Sequence, residues 1–360
     1  MAELVKRQLG STGIEVSVLG LGTVKLGRDQ EVKYPTGFTI PNDNEVRDLL
    51  ALTKELGINF IDTAELYSIP PNSETYGSTE TIIGNWIKQR NNRDQFILTS
   101  KIAGPGEGWI DHIREGKTKF NKQHITTALN NSLKRLNTDY IDLYQLHWPE
   151  RKTNFFGELG YVAEADSFTS IRETLEALNE QVIAGKIRHI GLSNETPWGV
   201  MSFINTAVEL NLPKIVSVQN PYSLLNRSYE IGIAEISYRE GCGLLAYSPL
   251  GFGTLSGKYL NQAQPADARI TLWPDYSRYT NQQAVAATEK YFALAREHDL
   301  DPAQMALAYI NTRPFLTSNI IGATNMTQLK SNIDSINLQL ADEVLEGIEK
   351  IHTEHPNPSP

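Results

Sequence analysis

The sequence predicts an α/β fold, a (β/α)8 TIM barrel with an N-terminal β-hairpin and extra C-terminal helices. Three observations carry that prediction. Short apolar runs recur eight times, amphipathic helical stripes lie between them, and a Gly-containing hairpin pattern precedes the first run. Such alternation belongs to a parallel α/β fold, and eight strand–helix units fit a closed barrel better than a doubly wound sheet. The chain has 360 residues, enough for one barrel with insertions. No composition break marks a second domain, so one domain over 1–360 is expected, with a flexible tail at about 350–360.

The opening segment reads as two short strands, Lys6-Arg7-Gln8-Leu9 and Glu15-Val16-Ser17-Val18, around Gly10-Ser11-Thr12-Gly13. Barrel strands are then expected at Leu19 to Leu21, Asn59 to Ile61, Phe96 to Thr99, Ile141 to Leu146 and Ile187 to Leu192. Three more are expected at Ile215 to Gln219, Leu244 to Tyr247 and Asn319 to Ile321. Val46, Leu49, Leu50 and Leu56 share one helical face between a cap at Asn42 or Asp43 and a stop at Gly57. Ile82, Ile83, Trp86 and Ile87 follow Ser78 as N-cap, and Ile125, Leu129, Leu133 and Leu136 form a third stripe. Ile171, Leu175, Leu178 and Val182 end at Gly185; Val200, Phe203, Ile204 and Ala207 make a fifth helix. Ile233, Ala234 and Ile236 suggest a shorter sixth, stopped by Gly241. After a Gly/Pro/Asp-rich stretch from Gly251 to Tyr279 come helices at Gln282 to His298 and Pro302 to Thr312. Val344, Leu345, Ile348 and Ile351 form the last, and the end from His355 to Pro360 reads as a frayed tail.

Acidic residues outnumber basic ones, 42 to 33, for a net charge of -9. That sign disfavours nucleic acid and anionic membranes as partners, though it leaves room for a local basic pocket. Cys242 is the only cysteine, so no internal disulfide or thiolate cluster is available. The seven histidines show no H-E-x-x-H or H-x-H pairing, and no metal site is expected. With neither a signal-peptide pattern at the start nor an apolar run of about 18 residues, a cytoplasmic protein is expected.

Two stretches resemble phosphate loops and fail on detail. Gly20-Leu21-Gly22-Thr23-Val24-Lys25 has Lys25 where G-x-G-x-x-G needs glycine, and loop residues separate it from the next helix. Gly251-Phe252-Gly253-Thr254-Leu255-Ser256-Gly257-Lys258-Tyr259 is one residue too long for a P-loop and offers Tyr259 where Mg²⁺ needs Ser or Thr.

In a TIM barrel the C-terminal strand ends face the active site. Here they present Asp62 and Tyr67, then Lys101, then His147-Trp148, Ser193-Asn194, Gln219-Asn220 and Tyr247-Ser248-Pro249. An acid, a phenol, an amine and an imidazole therefore converge. A carbonyl that accepts hydride gains negative charge on oxygen and needs a proton donor. A free Tyr releases its proton only near pH 10, so a neighbouring ammonium should ease that release, and an acid should keep the ammonium charged and placed. A His beside the oxygen can add a hydrogen bond. Singly, Asp62 reads as a turn cap, Lys101 as a solvated strand end and His147 as a core histidine. All four at successive strand ends argue for chemistry.

Asp62-Thr63-Ala64 with Tyr67, then Lys101 and His147, resembles the tetrad of the aldo-keto reductase superfamily. Leu19-Gly20-Leu21-Gly22-Thr23, Gly191-Leu192-Ser193-Asn194, Ala246-Tyr247-Ser248-Pro249-Leu250 and Ile321-Gly322-Ala323-Thr324 extend the resemblance nearly end to end. His147-Trp148-Pro149, 156–161 and 219–227 look most like the bacterial Tas-type branch. The resemblance implies an NADP(H)-dependent oxidoreductase that reduces aldehydes or ketones, with NADPH/NADP+ as cofactor and a small carbonyl substrate. It implies Tyr67 as general acid, assisted by Lys101, Asp62 and His147. Ser193, Asn194 and Gln219 match residues that hold the nicotinamide carboxamide, and Tyr247 matches the aromatic stacked on the ring. Gly22 and Thr23 match the family's first cofactor motif. Ser248, Pro249, Leu250, Gly251, Phe252 and Gly253 match the loop over the pyrophosphate. Lys258, Arg269, Thr324, Gln328 and Asn332 match positions around the adenosine and its 2′-phosphate, and Gly322 is a further cofactor-binding position. Lys258 and Arg269 also stand out as basic residues in a Gly-rich loop, a setting suited to phosphate.

The chain departs from the pattern in three places. Residues 68–77 form an insertion that supplies a rival phenol, Tyr76, although only Tyr67 has the expected spacing from Asp62. Ser331 stands where many relatives have Glu, and residues 25–40 match no known role. Two long loops, 103–122 and 149–168, carry Trp109, Phe155, Phe156 and Tyr161, which with Trp148 are expected to wall an apolar substrate cleft. The alternative to an enzyme is a cofactor-binding regulatory or accessory subunit with little turnover. Oligomeric state is unknown.

Overall fold

The computed structural model describes residues 4–26, 48, 50, 51, 53–266, 268–323 and 325–360. Two short strands, β1 (Lys6–Gln8) and β2 (Glu15–Ser17), pair antiparallel as expected. Eight parallel strands follow: β3 (Leu19–Gly22), β4 (Phe60–Asp62), β5 (Ile97–Ile102), β6 (Ile141–Leu146), β7 (Ile187–Ser193), β8 (Ile215–Pro221), β9 (Gly243–Tyr247) and β10 (Leu316–Ile321). They close into a barrel in the order β10-β3-β4-β5-β6-β7-β8-β9. The expected fold class is the observed one.

The strands read as nearly continuous apolar runs because side chains on both faces are buried, inside the barrel or under helices. At the N-terminal end of the barrel, Leu9 and Val16 of the hairpin pack with Phe60, Leu143, Val216, Leu245 and Ile320. The hairpin thereby covers that end. Arg7 secures it with hydrogen bonds to the carbonyls of Asn311 (2.6 Å), Arg313 (2.9 Å) and Leu316 (2.7 Å).

Helices coat the outside through the stripes read from sequence. Lys122–Leu136 buries Ile125, Leu129 and Leu136, Ile171–Ile183 buries Leu175 and Leu178, and Pro197–Leu210 buries Val200, Phe203, Ile204 and Ala207. Gly185 stops the second of these at φ 72°, where a Cβ would be strained, and Lys186 N–H reaches back to Gln181 O at 3.0 Å. Tyr229–Glu240, Gln282–Glu297, Pro302–Asn311 and Asp342–Glu354 occupy the other expected positions.

Some expectations change. Ser78 is the first helical residue of Ser78–Arg90 rather than its cap; Gly77 precedes it with φ 73°, and no side chain caps the helix. The helix Met326–Asp334 was not expected; Asn325 caps it by accepting from Gln328 N–H at 2.9 Å. The Pro-rich end is docked. Asn357 Oδ1 accepts from Arg227 N–H (2.6 Å), Asn281 Nδ2 donates to Pro358 O (2.8 Å), and Ser359 N–H donates to Leu225 O (3.0 Å). Of the first helical pattern, Asn42, Asp43, Val46 and Leu49 lie outside the described residues, as does 27–40 of the unassigned segment; Leu50 is helical and fully buried. Among the described residues, no helix is long and apolar enough to cross a membrane.

Candidate active site

Parallel strands bring their C-terminal ends to one rim, and that geometry gathers the site. Asp62 ends β4, Lys101 lies near the end of β5, His147 follows β6, and Ser193 ends β7. Thr99 and Lys101, two apart on β5, share a face, and the register sets Lys101 beside Gln145 of β6.

Lys101 is fully buried. Its Nζ donates to Asp62 Oδ1 and Oδ2, each at 2.8 Å, and to Thr63 O at 2.8 Å. Burial pulls the ammonium below its ordinary value while Asp62 opposes that shift. The carboxylate also accepts from Gln219 Nε2 at 2.8 Å and Gln145 Nε2 at 3.5 Å. Thr23 fixes Asp62 from the other side, donating to its carbonyl through N–H (3.1 Å) and Oγ1 (2.8 Å).

Tyr67 lies beside this pair, with Lys101 Nζ 5.1 Å from the ring centroid. The His147 ring meets it edge-on at 5.6 Å. Burial, then Asp62, then Tyr247 push the phenol well above its ordinary value, and Arg269 opposes them. Burial is the largest of these influences. His147 is held well below the usual imidazole range by burial and by Lys101, and is neutral at pH 7. Its Nδ1 is buried with no hydrogen-bond partner among the described residues.

Tyr76 points elsewhere. Its hydroxyl donates to Glu65 Oε2 at 3.1 Å, and its ring stacks edge-on with His112. The structure brings Asp62, Tyr67, Lys101 and His147 together and leaves Tyr76 outside the group.

Asp62, Tyr67 and His147 open into a cleft of about 1130 Å³, larger than the roughly 300–1,000 Å³ common for small-ligand sites, with Lys101 buried behind them. Beyond the mouth it runs between the 248–281 segment and the start of Met326–Asp334. A family model described as the aldo/keto reductase family matches residues 18–353. The chain belongs to that family. It is 48% identical to "Protein tas" of Escherichia coli over 97% of this chain and 98% of that one. It is 33% identical to "Uncharacterized oxidoreductase YrpG" of Bacillus subtilis over 94% of this chain and 92% of that one. To "Probable voltage-gated potassium channel subunit beta" of rice it is 28% identical, over 96% and 95%. As an aldo/keto reductase, the chain is an oxidoreductase.

Of the reductase's expected cofactor positions, Gly22, Thr23, Ser193, Asn194, Gln219, Tyr247, Ser248, Pro249, Leu250, Phe252, Gly253, Lys258, Arg269, Gly322, Gln328 and Asn332 line the cleft. Gly251 packs on Tyr279 behind it, and Thr324 lies outside the described residues. Asn194 links the rim, donating to His147 O at 2.8 Å and accepting from Tyr247 OH at 2.6 Å. Burial pushes the Tyr247 phenol up to about 12. Arg269 lies over Phe252 at 3.9 Å and Tyr276 at 5.0 Å, and forms no carboxylate ion pair among the described residues. The Lys258 side chain crosses Gly253 closely, where φ is 94° and a Cβ would meet Lys258 Cε at 2.5 Å.

The aromatic walls divide. Trp109, Trp148 and Phe156 line the cleft, with the two indoles 5.3 Å apart. Phe155 packs behind Phe156 at 4.9 Å, and Tyr161, 65% exposed, does not reach the cleft. Both belong to the same loop as Phe156, and a loop with no period gives no way to tell inward from outward residues. Ile69, Pro71, Arg278 and Ser359 were missed as lining residues. Gln145 was missed too, although it is a polar residue in an apolar strand, two positions before His147 and therefore on the same face.

Proposed function

We propose that this reductase reduces an aldehyde or ketone to an alcohol with NADPH, in the cytoplasm, acting on small molecules and neither nucleic acid nor membranes. The supporting observation is the hydrogen-bonded Lys101–Asp62 pair beside Tyr67 and His147, at the end of a cleft that continues to Arg269 and Lys258. The residues suit a dinucleotide. Among the described residues, His147 Nδ1 is a buried atom with no hydrogen-bond partner and Arg269 a partly buried cation with no acid paired to it, and both residues line the cleft.

Ser193, Asn194 and Gln219 would hold the carboxamide, Tyr247 would lie on the ring, and Lys258, Arg269, Gln328 and Asn332 would meet the phosphates and adenosine. NADPH held by these residues would supply the hydride for the carbonyl carbon. Tyr67 passes its proton to the carbonyl oxygen as that oxygen gains charge. Neutral His147 contributes a hydrogen bond, and Lys101, fixed by Asp62 and Thr63 O, adds its field at the oxygen. Trp109, Trp148 and Phe156 exclude water and receive an apolar substrate.

Similarity to the rice protein supports a second reading, an accessory subunit that binds cofactor with little turnover. Loss of NADPH absorbance with a panel of aromatic and aliphatic aldehydes separates the two. Steady turnover supports the reductase. Tight NADPH binding with no turnover on any aldehyde would favour the accessory role.

A further inference from the structure

Two loops wall the substrate end of the cleft, residues 68–77 through Ile69 and Pro71 and residues 103–122 through Trp109. Apart from the short 3-10 turn Arg114–Gly116 neither is a regular element, and both are also held from outside the cleft. Both meet at one carboxylate. Glu65 is fully buried, lies between Asp62 and Tyr67 in the chain, and does not line the cleft. Its own N–H donates to Lys101 O at 3.2 Å.

Every oxygen of that carboxylate is occupied. Oε1 accepts from Ala103 N–H at 2.7 Å and from Arg114 Nη2; Oε2 accepts from Arg114 Nη1 at 3.1 Å and from Tyr76 OH at 3.1 Å. Tyr76 closes the 68–77 loop. Arg114 and Ala103 belong to the 103–122 loop. The guanidinium also donates to Thr118 Oγ1 at 3.0 Å.

The backbone of the second loop shows why it needs an anchor. Arg114, Glu115 and Gly116 have φ of 49°, 56° and 67°, and the first two carry a Cβ that this region disfavours. Such a turn persists when surrounding bonds hold it. Next to it, Ile110 and Ile113 pack with Leu66, Tyr67 and Trp148. The turn is therefore joined to the segment that carries the proton donor. On the other flank the Tyr76 ring lies under Arg135, which pairs with buried Glu80 at 2.6 Å.

We propose that Glu65 is a positioning residue for substrate selection. It clamps both cleft walls, one through Tyr76 and one through Arg114, so that the site favours a bulky apolar carbonyl over a small one. The inference rests on the carbonyl-reductase reading of the cleft. It assigns the 68–77 insertion a purpose: to place Ile69 and Pro71 opposite Trp109.

Glu65→Gln, Arg114→Lys and Tyr76→Phe test it with two measurements. Hydrogen exchange should rise in 68–77 and 103–122 for Glu65→Gln, in 103–122 for Arg114→Lys, and in 68–77 for Tyr76→Phe, which removes one hydroxyl and spares the buried charges. In kinetics, KM for a naphthaldehyde should rise about tenfold, while KM for propionaldehyde and both kcat values change about twofold or less, since small misplacement of a wall costs mainly the substrate that touches it. Unchanged exchange in both loops, or equal losses for both aldehydes together with weaker NADPH binding, would overturn the clamp. If wild type reduces neither aldehyde, the carbonyl reading fails and the exchange data still decide whether Glu65 holds the loops.

Discussion

Tyr67 keeps its proton through the neutral range, because burial and the Asp62 carboxylate both hold the phenol well above its ordinary value. A donor of this kind gives a reduction rate that is flat near neutrality and falls only on the alkaline side, where the phenol ionises. Asp62→Asn removes one raising influence, so the alkaline limb should move to lower pH. Lys101→Met leaves Asp62 uncompensated, so its limb should move to higher pH. Profiles of kcat against pH for the two variants check this, and shifts of the same sign would break the proposed coupling. Tyr67→Phe should lose roughly 10²–10⁴-fold in kcat while still binding NADPH, as read by cofactor fluorescence. A near-normal kcat in that variant would remove Tyr67 as donor. The four residue types and their order along the chain were legible in the sequence. Their electrostatic balance was not, because it depends on Lys101 being fully buried and bonded twice to Asp62, at distances that spacing cannot supply.

The 248–281 segment carries the cations proposed to select the cofactor, and they occupy different surroundings. Lys258 crosses Gly253, whereas Arg269 opens the short helix Arg269–Leu272 and acts on the Tyr67 phenol. Arg269 stacks on Phe252 and Tyr276, and loss of this proposed selecting cation in Arg269→Ala should weaken NADPH more than NADH. Lys258→Ala should weaken NADPH selectively, by about tenfold if it forms one charge-assisted hydrogen bond of about 1.5 kcal/mol in a partly exposed setting. Fluorescence titration of both cofactors decides it, and a Lys258→Ala loss shared equally by NADH would move that side chain to the pyrophosphate. Composition marked this segment as turn-rich, with Lys258 and Arg269 among its few basic residues, but gave no sign of the four-residue helix inside it. Met326–Asp334 escaped for a related reason: nine residues with Leu329 and Ile333 as their buried hydrophobes are too few to establish a helical period.

For the whole molecule, a ligand that binds only the folded barrel must raise its stability. NADPH at about 100 times its Kd should add about 2.7 kcal/mol. That corresponds to a rise in Tm of about 3–4 °C for a chain of this size, and NADH at the same concentration should give less. Thermal melts with each cofactor check this; equal shifts would end the preference for NADPH. All eight barrel strands were legible because burial on both faces leaves an apolar run that stands out from its surroundings. Closure of the ring was legible only from their number and from the resemblance, since it rests on pairing the first barrel strand with the last. The docking of the Pro-rich end was hidden, because its hydrogen bonds are made by Arg227, Leu225 and Asn281, far away in sequence.

The seam between β3 and β10 has a consequence for biosynthesis. Leu19 pairs with Asn319, and Arg7 is bonded to carbonyls at 311, 313 and 316. The first barrel strand must therefore wait until residue 319 has been made before its second neighbour exists. Until then it offers an unpaired edge and an uncovered apolar face, which are the features that invite aggregation and chaperone capture. Contacts of such long sequence separation also close slowly. The guanidinium of Arg7 acts as a latch on that final event, joining the hairpin to the entry of β10 as the ring shuts.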